Sequence, residues 1–236
     1  MSEVTLTNLL DDAALLSLEY QLRLSEVASG RPFSVDLAGG GQFSFTGDQP
    51  LVADRVHLLG SAAPGPRSWL WAWANPSGYS AEVTALAQSV REFGKEHGIA
   101  ELSEPEVPFD ALPGAPTDPV RVVTLLTDAA KVITGKWTSY NAPVGRGSRA
   151  SLVIEHPSFA LPAPTGPHLA TILEQGIAAL PLYDQRRAVH SYALKRGLTP
   201  SWNPDWSHLT IPGPDFEATL TFDQNARTQS INVKSA

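Results

Sequence analysis

Six histidines, 24 carboxylic acids and no cysteine are the groups from which this 236-residue chain could build an active centre. Without cysteine there is no thiolate nucleophile, no disulfide and no Cys-type zinc site. His57, His97, His156, His168, His190 and His208 do not fall in the H-E-x-x-H or H-x-H spacings that bring two imidazoles onto one metal ion. Neither a metal nor another cofactor is therefore expected. No G-x-S-x-G elbow marks a nucleophilic serine. Gly145-Arg146-Gly147-Ser148-Arg149 resembles a phosphate loop only in its glycines, lacks the Lys-Ser/Thr ending, and reads as a hairpin turn with solvated arginines. Acid–base chemistry could come from paired carboxylates, Asp36 with Asp54 or Glu101 with Glu104. Asp36 stands between Val35 and Leu37 in a strand pattern. If buried it needs a partner such as Arg55 or Gln21, and otherwise it faces solvent. No residue is assigned a catalytic role.

The aromatic residues offer recognition instead. Trp69, Trp71 and Trp73 alternate within SWLWAWA and, on one extended strand, would share a face. Three such indoles either line a groove for a ligand or, because each buries ~150–250 Å², form the core under a helix; the core is the expected role. Asn75-Pro76-Ser77-Gly78-Tyr79-Ser80 follows and ends at a helix start, where free backbone N–H groups attract anions, although an Asn-Pro turn and a serine cap explain it more simply. Trp69, Trp71, Trp73, Asn75 and Asp36 are the candidate ligand contacts. Trp202 and Trp206, in Trp202-Asn203-Pro204-Asp205-Trp206, are the candidate partner contacts, since tryptophan is enriched in binding hot spots. Loop tryptophans also commonly fold back as plugs of a small core, and that plainer role is expected here.

These residues must be placed by the elements around them. Leu9, Leu10, Ala13, Leu16, Tyr20 and Leu24 recur at helical spacing and predict an amphipathic helix over 7–28. Residues 33–37 and 42–46 alternate about Gly39-Gly40-Gly41 as a hairpin. Residues 51–59 predict a third strand and 68–74 a fourth, interior to the sheet because both of its faces are apolar. Ser80 opens a helix stopped at Gly98. The proline-rich stretch 101–116 reads as a loop, and Asp118-Pro119 caps a helix running to about Val132. Strands are expected at 136–140 and 151–155. The segment 159–167, with three prolines, is the linker candidate. Helices at 168–180 and 184–196 and strands at 208–211, 216–222 and 228–233 follow it, the last two joined through Asp223-Gln224-Asn225-Ala226. The order predicts an α+β fold: an antiparallel sheet with helices packed on it over residues 1–158, and a smaller helix-and-hairpin unit over 166–236.

Several of these residues also carry a resemblance. Gln21 in the first helix, Asp36, Leu59-Gly60-Ser61, the run from Ser68 to Pro76, Phe93-Gly94 and Ile99-Ala100-Glu101-Leu102 are similar to an uncharacterised bacterial domain family of unknown function, over roughly residues 6–156. That family usually has a tryptophan where Phe33 stands and a tighter loop in place of 62–67. The resemblance implies the fold and leaves the activity open.

Composition narrows the partners. The net charge is −7, with 17 basic residues against 24 acidic. No basic stripe is present to neutralise phosphates, so no nucleic acid is expected. No apolar run approaches the ~20 residues that span a bilayer, and the acidic start MSEVTLTNLLDD is unlike a signal peptide. A cytoplasmic location with no membrane partner is expected. The function expected from the aromatic content is non-catalytic binding of a protein partner or small ligand. The alternative is a hydrolase-type enzyme using carboxylate and histidine groups, such as Asp36 or His57, in a cleft between the two parts.

Overall fold

The computed structural model describes residues 4–28 and 30–235. Among them are six α-helices and three antiparallel sheets, the α+β class expected from the element order. The chain divides into two compact units. One holds Tyr20–Ala160 with the described residues before Thr7; the other holds Thr7–Glu19 and Leu161–Ala236. The first helix, α1 (Leu6–Ala28), thus contributes to both.

In the first unit, β1 (Phe33–Asp36) and β2 (Gln42–Phe45) form the expected hairpin, and the two-residue β3 (Leu51–Val52) adds to β2. The third strand expected over 51–59 is interrupted. Pairing switches after Val52, and β4 (Arg55–Ala63) belongs to a separate five-stranded sheet. That sheet also contains β5 (Ser68–Trp71), β6 (Glu106–Pro108), β7 (Ser139–Pro143) and β8 (Arg149–Glu155), in the order β6-β5-β4-β8-β7. Helices α2 (Ala81–His97) and α4 (Pro119–Thr134) pack on each other and over β4. Their ends follow from their caps. The Ser80 hydroxyl accepts from the Val83 amide at 3.3 Å, the Asp118 carboxylate accepts from Val120 at 3.0 Å, and Gly98 and Gly135 close the two helices in the left-handed conformation. A buried hydroxyl pair, Thr127 with Ser151 at 2.6 Å, ties α4 to β8.

Two local expectations are corrected. The tryptophan strand is shorter than 68–74, because 72–74 form a single 3-10 turn closed by the Asn75 amide on the Ala72 carbonyl. The neighbouring strands run out there: β4 pairs β5 only as far as Trp71, and β6 ends opposite Leu70. The stretch 101–116 is not a plain loop either. It holds the end of α3 (Ala100–Ser103), then β6 and a 3-10 turn at Phe109–Ala111, because Leu102, Val107, Phe109 and Leu112 each bury an apolar side chain.

In the second unit, α5 (Gly166–Ala179) and α6 (Gln185–Lys195) join the first half of α1 beside a four-stranded sheet. Its strands are β9 (Ser201–Trp202), β10 (His208–Pro212), β11 (Phe216–Phe222) and β12 (Thr228–Ser235), in the order β12-β11-β10-β9. The core combines Leu9 and Leu15 of α1 with Leu169, Ile172, Leu173, Val189, Leu209, Ile211 and Leu220. α1 and α5 approach closely, for a Cβ built on Gly176 would lie 2.2 Å from Leu15 Cδ2. Among the described residues no helix is long and apolar enough to cross a membrane.

Candidate functional site

The loop between β9 and β10 is held by its own polar groups. The Trp206 amide donates to the Asn203 carbonyl at 3.1 Å, and the His208 amide donates to Asn203 Oδ1 at 2.9 Å. Asp205 Oδ1 accepts from the Ser207 hydroxyl at 2.7 Å and from its amide at 3.1 Å. The Ser207 hydroxyl and then its amide hold the Asp205 carboxyl below its ordinary pKa, so the group is ionised at neutral pH. This framework fixes Trp206 at φ +59°, in the left-handed region that costs a non-glycine residue on the order of 1 kcal/mol.

Instead of plugging the core, Trp206 is 57% exposed. Its ring lies 5.4 Å from that of half-buried Trp202, which in turn lies 5.3 Å from Phe222. The Trp202 indole donates to His190 Nδ1 at 3.2 Å, a bond that requires an unprotonated nitrogen there. Burial lowers the His190 pKa against the pull of Asp12, which favours that neutral form. At the far end of the aromatic row, the Arg186 guanidinium lies 5.9 Å from the Phe222 centroid and donates to the Asp223 carbonyl. The result is a partly exposed aromatic strip with a carboxylate at one end and a guanidinium at the other.

Ser207 also lies 2.7 Å from His208 Nδ1, a contact of the kind used in nucleophilic catalysis. An activated serine, however, has its carboxylate on the far side of the imidazole, where it orients the base. Here Asp205 bonds the hydroxyl directly, and the three groups brace the turn.

The candidate ligand contacts of the first unit scatter. Trp69 and Trp71 are both 0% exposed and meet edge to face at 5.2 Å, so they belong to the core and line no groove. The Trp71 indole donates to the Glu101 carbonyl at 3.0 Å. Trp73 leaves their face at the 3-10 turn and is half-buried under the Arg91 guanidinium, 4.1 Å from its ring. Asn75 Oδ1 accepts from the Ser77 amide at 2.9 Å and serves the turn. Asp36 faces solvent, where it accepts from the Ala38 amide at 2.9 Å. It does share one open hollow of about 480 Å³ with Val35, Leu37, Ser77, Tyr79 and Ser80.

Two polar clusters escaped the sequence because their members lie far apart along the chain. In the second unit Glu19, 1% exposed, meets His168 Nε2 at 2.8 Å, the Tyr192 hydroxyl at 3.0 Å and Arg196 Nε at 3.1 Å. Burial and then the Glu19 charge push the Tyr192 phenol well above its usual range. In the first unit His57 is buried, with Nδ1 donating to the Glu82 carbonyl at 3.1 Å and Nε2 lying 3.3 Å from Glu155 Oε1. Lys136 pairs the other Glu155 oxygen. Burial works to raise the Glu155 pKa, but Lys136 and then His57 outweigh it and hold the carboxyl below its ordinary value. Both ring nitrogens of His57 are thus engaged. Among the described residues no group of three or more His, Asp and Glu is placed to hold a metal ion.

Comparison with known sequences bears on the same segment as the tryptophan strand. The sequence model of a family of unknown function matches residues 7–157. The chain belongs to that family, DUF6882. No curated protein and no solved structure matches it. The family resemblance expected over roughly residues 6–156 agrees with this match in extent.

Two glycines of the matched stretch are tightly enclosed. A Cβ on Gly60 would lie 2.4 Å from the Leu70 carbonyl oxygen and 2.5 Å from the Trp69 ring. A Cβ on Gly94 would lie 2.7 Å from Leu102 Cβ, and the Ile99 amide donates to the Gly94 carbonyl at 2.8 Å. These residues assemble the core around Trp69 and Trp71. The exposed strip of Trp202 and Trp206 lies beyond the stretch that the DUF6882 model matches.

Proposed function

We propose that the chain is a non-catalytic binding protein whose second unit engages a protein partner through Trp206 and Trp202. The observation that carries this reading is the exposure of Trp206 in a left-handed backbone conformation. An indole on water forgoes burial that stabilises by about 1.5–3 kcal/mol, and its backbone adds strain. Covering it with a partner recovers the first of these losses, and the hydrogen-bonded loop limits the ordering cost of binding. The cysteine-free composition supports a cytoplasmic setting.

The test is capture from an extract of the source cells with the full chain, in parallel with Trp206→Ala. The expected result is a stoichiometric protein whose affinity for the purified variant falls at least tenfold, as a hot-spot indole requires. Equal recovery by both proteins, or recovery by neither, would reject the strip as the binding surface.

A further inference from the structure

Among the described residues the sheets end in six edge strands, and five of them are short or end in proline. β1 has four residues, β3 and β9 have two each, β6 has three and ends in Pro108, and β7 has five and ends in Pro143. Short strands and prolines protect an edge along its length, whereas a bulge or a lone lysine guards only its own position. β12 has neither of the former. It runs for eight residues, TQSINVKS, with no proline and a single charge, Lys234. Among the described residues, the backbone of 230–235 pairs only with β11, and Ser230, Asn232 and Lys234 are exposed. Ile231 and Val233, on the opposite side of the strand, are left half-covered.

We infer that β12 joins, antiparallel, the β12 of a second copy of this chain and so extends the four-stranded sheet to eight strands. The sequence of the strand is self-complementary in one of the registers that two-fold symmetry allows. A two-fold axis normal to the sheet places opposite one another only residues that point to the same side. The ladder with β11 shifts between Thr221 and Phe222, leaving Gln229 unpaired, so the regular stretch begins at Ser230. Axes through Asn232 and through Val233 pair equal lengths of that stretch, and the axis through Asn232 is the one that matches its apolar side chains twice. It sets Ile231 opposite the second copy's Val233, a β-branched pair, and does so twice. It also sets Ser230 opposite the second copy's Lys234, so that no like charges meet. A strand edge alone is a small interface, and the dimer is correspondingly weak and reversible.

The register makes a test that charge alone decides. Ser230 is exposed, and among the described residues its hydroxyl bonds that of Thr221 alone, at 2.7 Å, so charged replacements should leave the fold intact, as circular dichroism would confirm. Ser230→Glu faces Lys234 of the copy at both symmetric positions, whereas Ser230→Lys opposes like charges there. Sedimentation equilibrium from about 1 to 500 µM covers the affinities of small interfaces. The wild type is expected to dimerise reversibly. The glutamate variant should bind roughly two- to thirty-fold more tightly and the lysine variant more weakly by a similar factor, with both shifts fading at high salt. A wild type that stays monomeric throughout overturns the inference and leaves the edge to an extended segment of another protein. Variants that do not move the constant in opposite directions overturn it as well.

Discussion

Asp11 enters the second unit from the first turns of α1 and is 2% exposed. Its two carboxylate oxygens accept the Tyr183 and Asp184 amides at 2.8 and 2.9 Å. Burial pushes its pKa up to about 6, against these two amides, which favour the anion. The folded chain therefore holds the Asp11 proton more tightly than the unfolded chain does. Its contribution to stability is complete below the unfolded value of 3.8, declines as pH rises, and is lost above about 6. The change across that window is on the order of 3 kcal/mol. Urea unfolding at pH 4.5 and 7.5 measures it: Asp11→Asn should show a clearly flatter pH dependence than the wild type. Equal slopes would mean that Asp11 titrates as an ordinary surface carboxylate.

Elements were legible in the sequence where local chemistry defines their ends. α2 and α4 were placed by Ser80, Gly98 and Asp118-Pro119, whose caps act within a few residues of themselves. The end of β5 was not legible, since alternation continues through Trp73 while the partner strands stop. Strand length depends on neighbours that lie elsewhere in the chain. For the same reason 101–116 passed for a loop, although its apolar residues complete a sheet edge. Of the candidate site, the tryptophans were visible as residues, but the turn that separates Trp73 from Trp69 was not. The polar clusters of Glu19 and His57 reach from residue 19 to residue 196 and from residue 57 to residue 155, beyond the reach of any local pattern. At this scale the contact of α2 with α3 sets a test in which two effects oppose. Alanine stabilises a helix interior by about 1 kcal/mol over glycine. A Cβ at Gly94 would, however, press on Leu102 Cβ and on the Leu102 carbonyl carbon at 2.9 Å, and backbone cannot swing aside. Overpacking of that kind costs ~1–3 kcal/mol. Gly94→Ala should therefore lower the urea midpoint, and a rise would show that the two helices separate easily.

Across the whole molecule, the compact units do not follow the order of the chain. Thr7–Glu19 belongs with Leu161–Ala236 and supplies Asp11, Asp12, Glu19 and Leu15 to that unit. A fragment of residues 161–236 lacks them, and Arg187, Tyr192 and Arg196 lose their acidic partners. Such a fragment should stay unfolded by circular dichroism and gain structure when a peptide of residues 5–28 is added. Cooperative unfolding of the fragment alone would contradict this.

The shared helix has a consequence for relatives. The stretch 7–157 that the family model matches begins with a segment, Thr7–Glu19, that groups with residues after position 160. Any member that lacks a comparable tail would expose the face bearing Leu9, Leu15 and Glu19, and selection would replace those side chains with ones suited to water. The residue types at positions 9, 15 and 19 should therefore covary with the presence of the tail, and they can serve as a marker for it even in sequences known only in part.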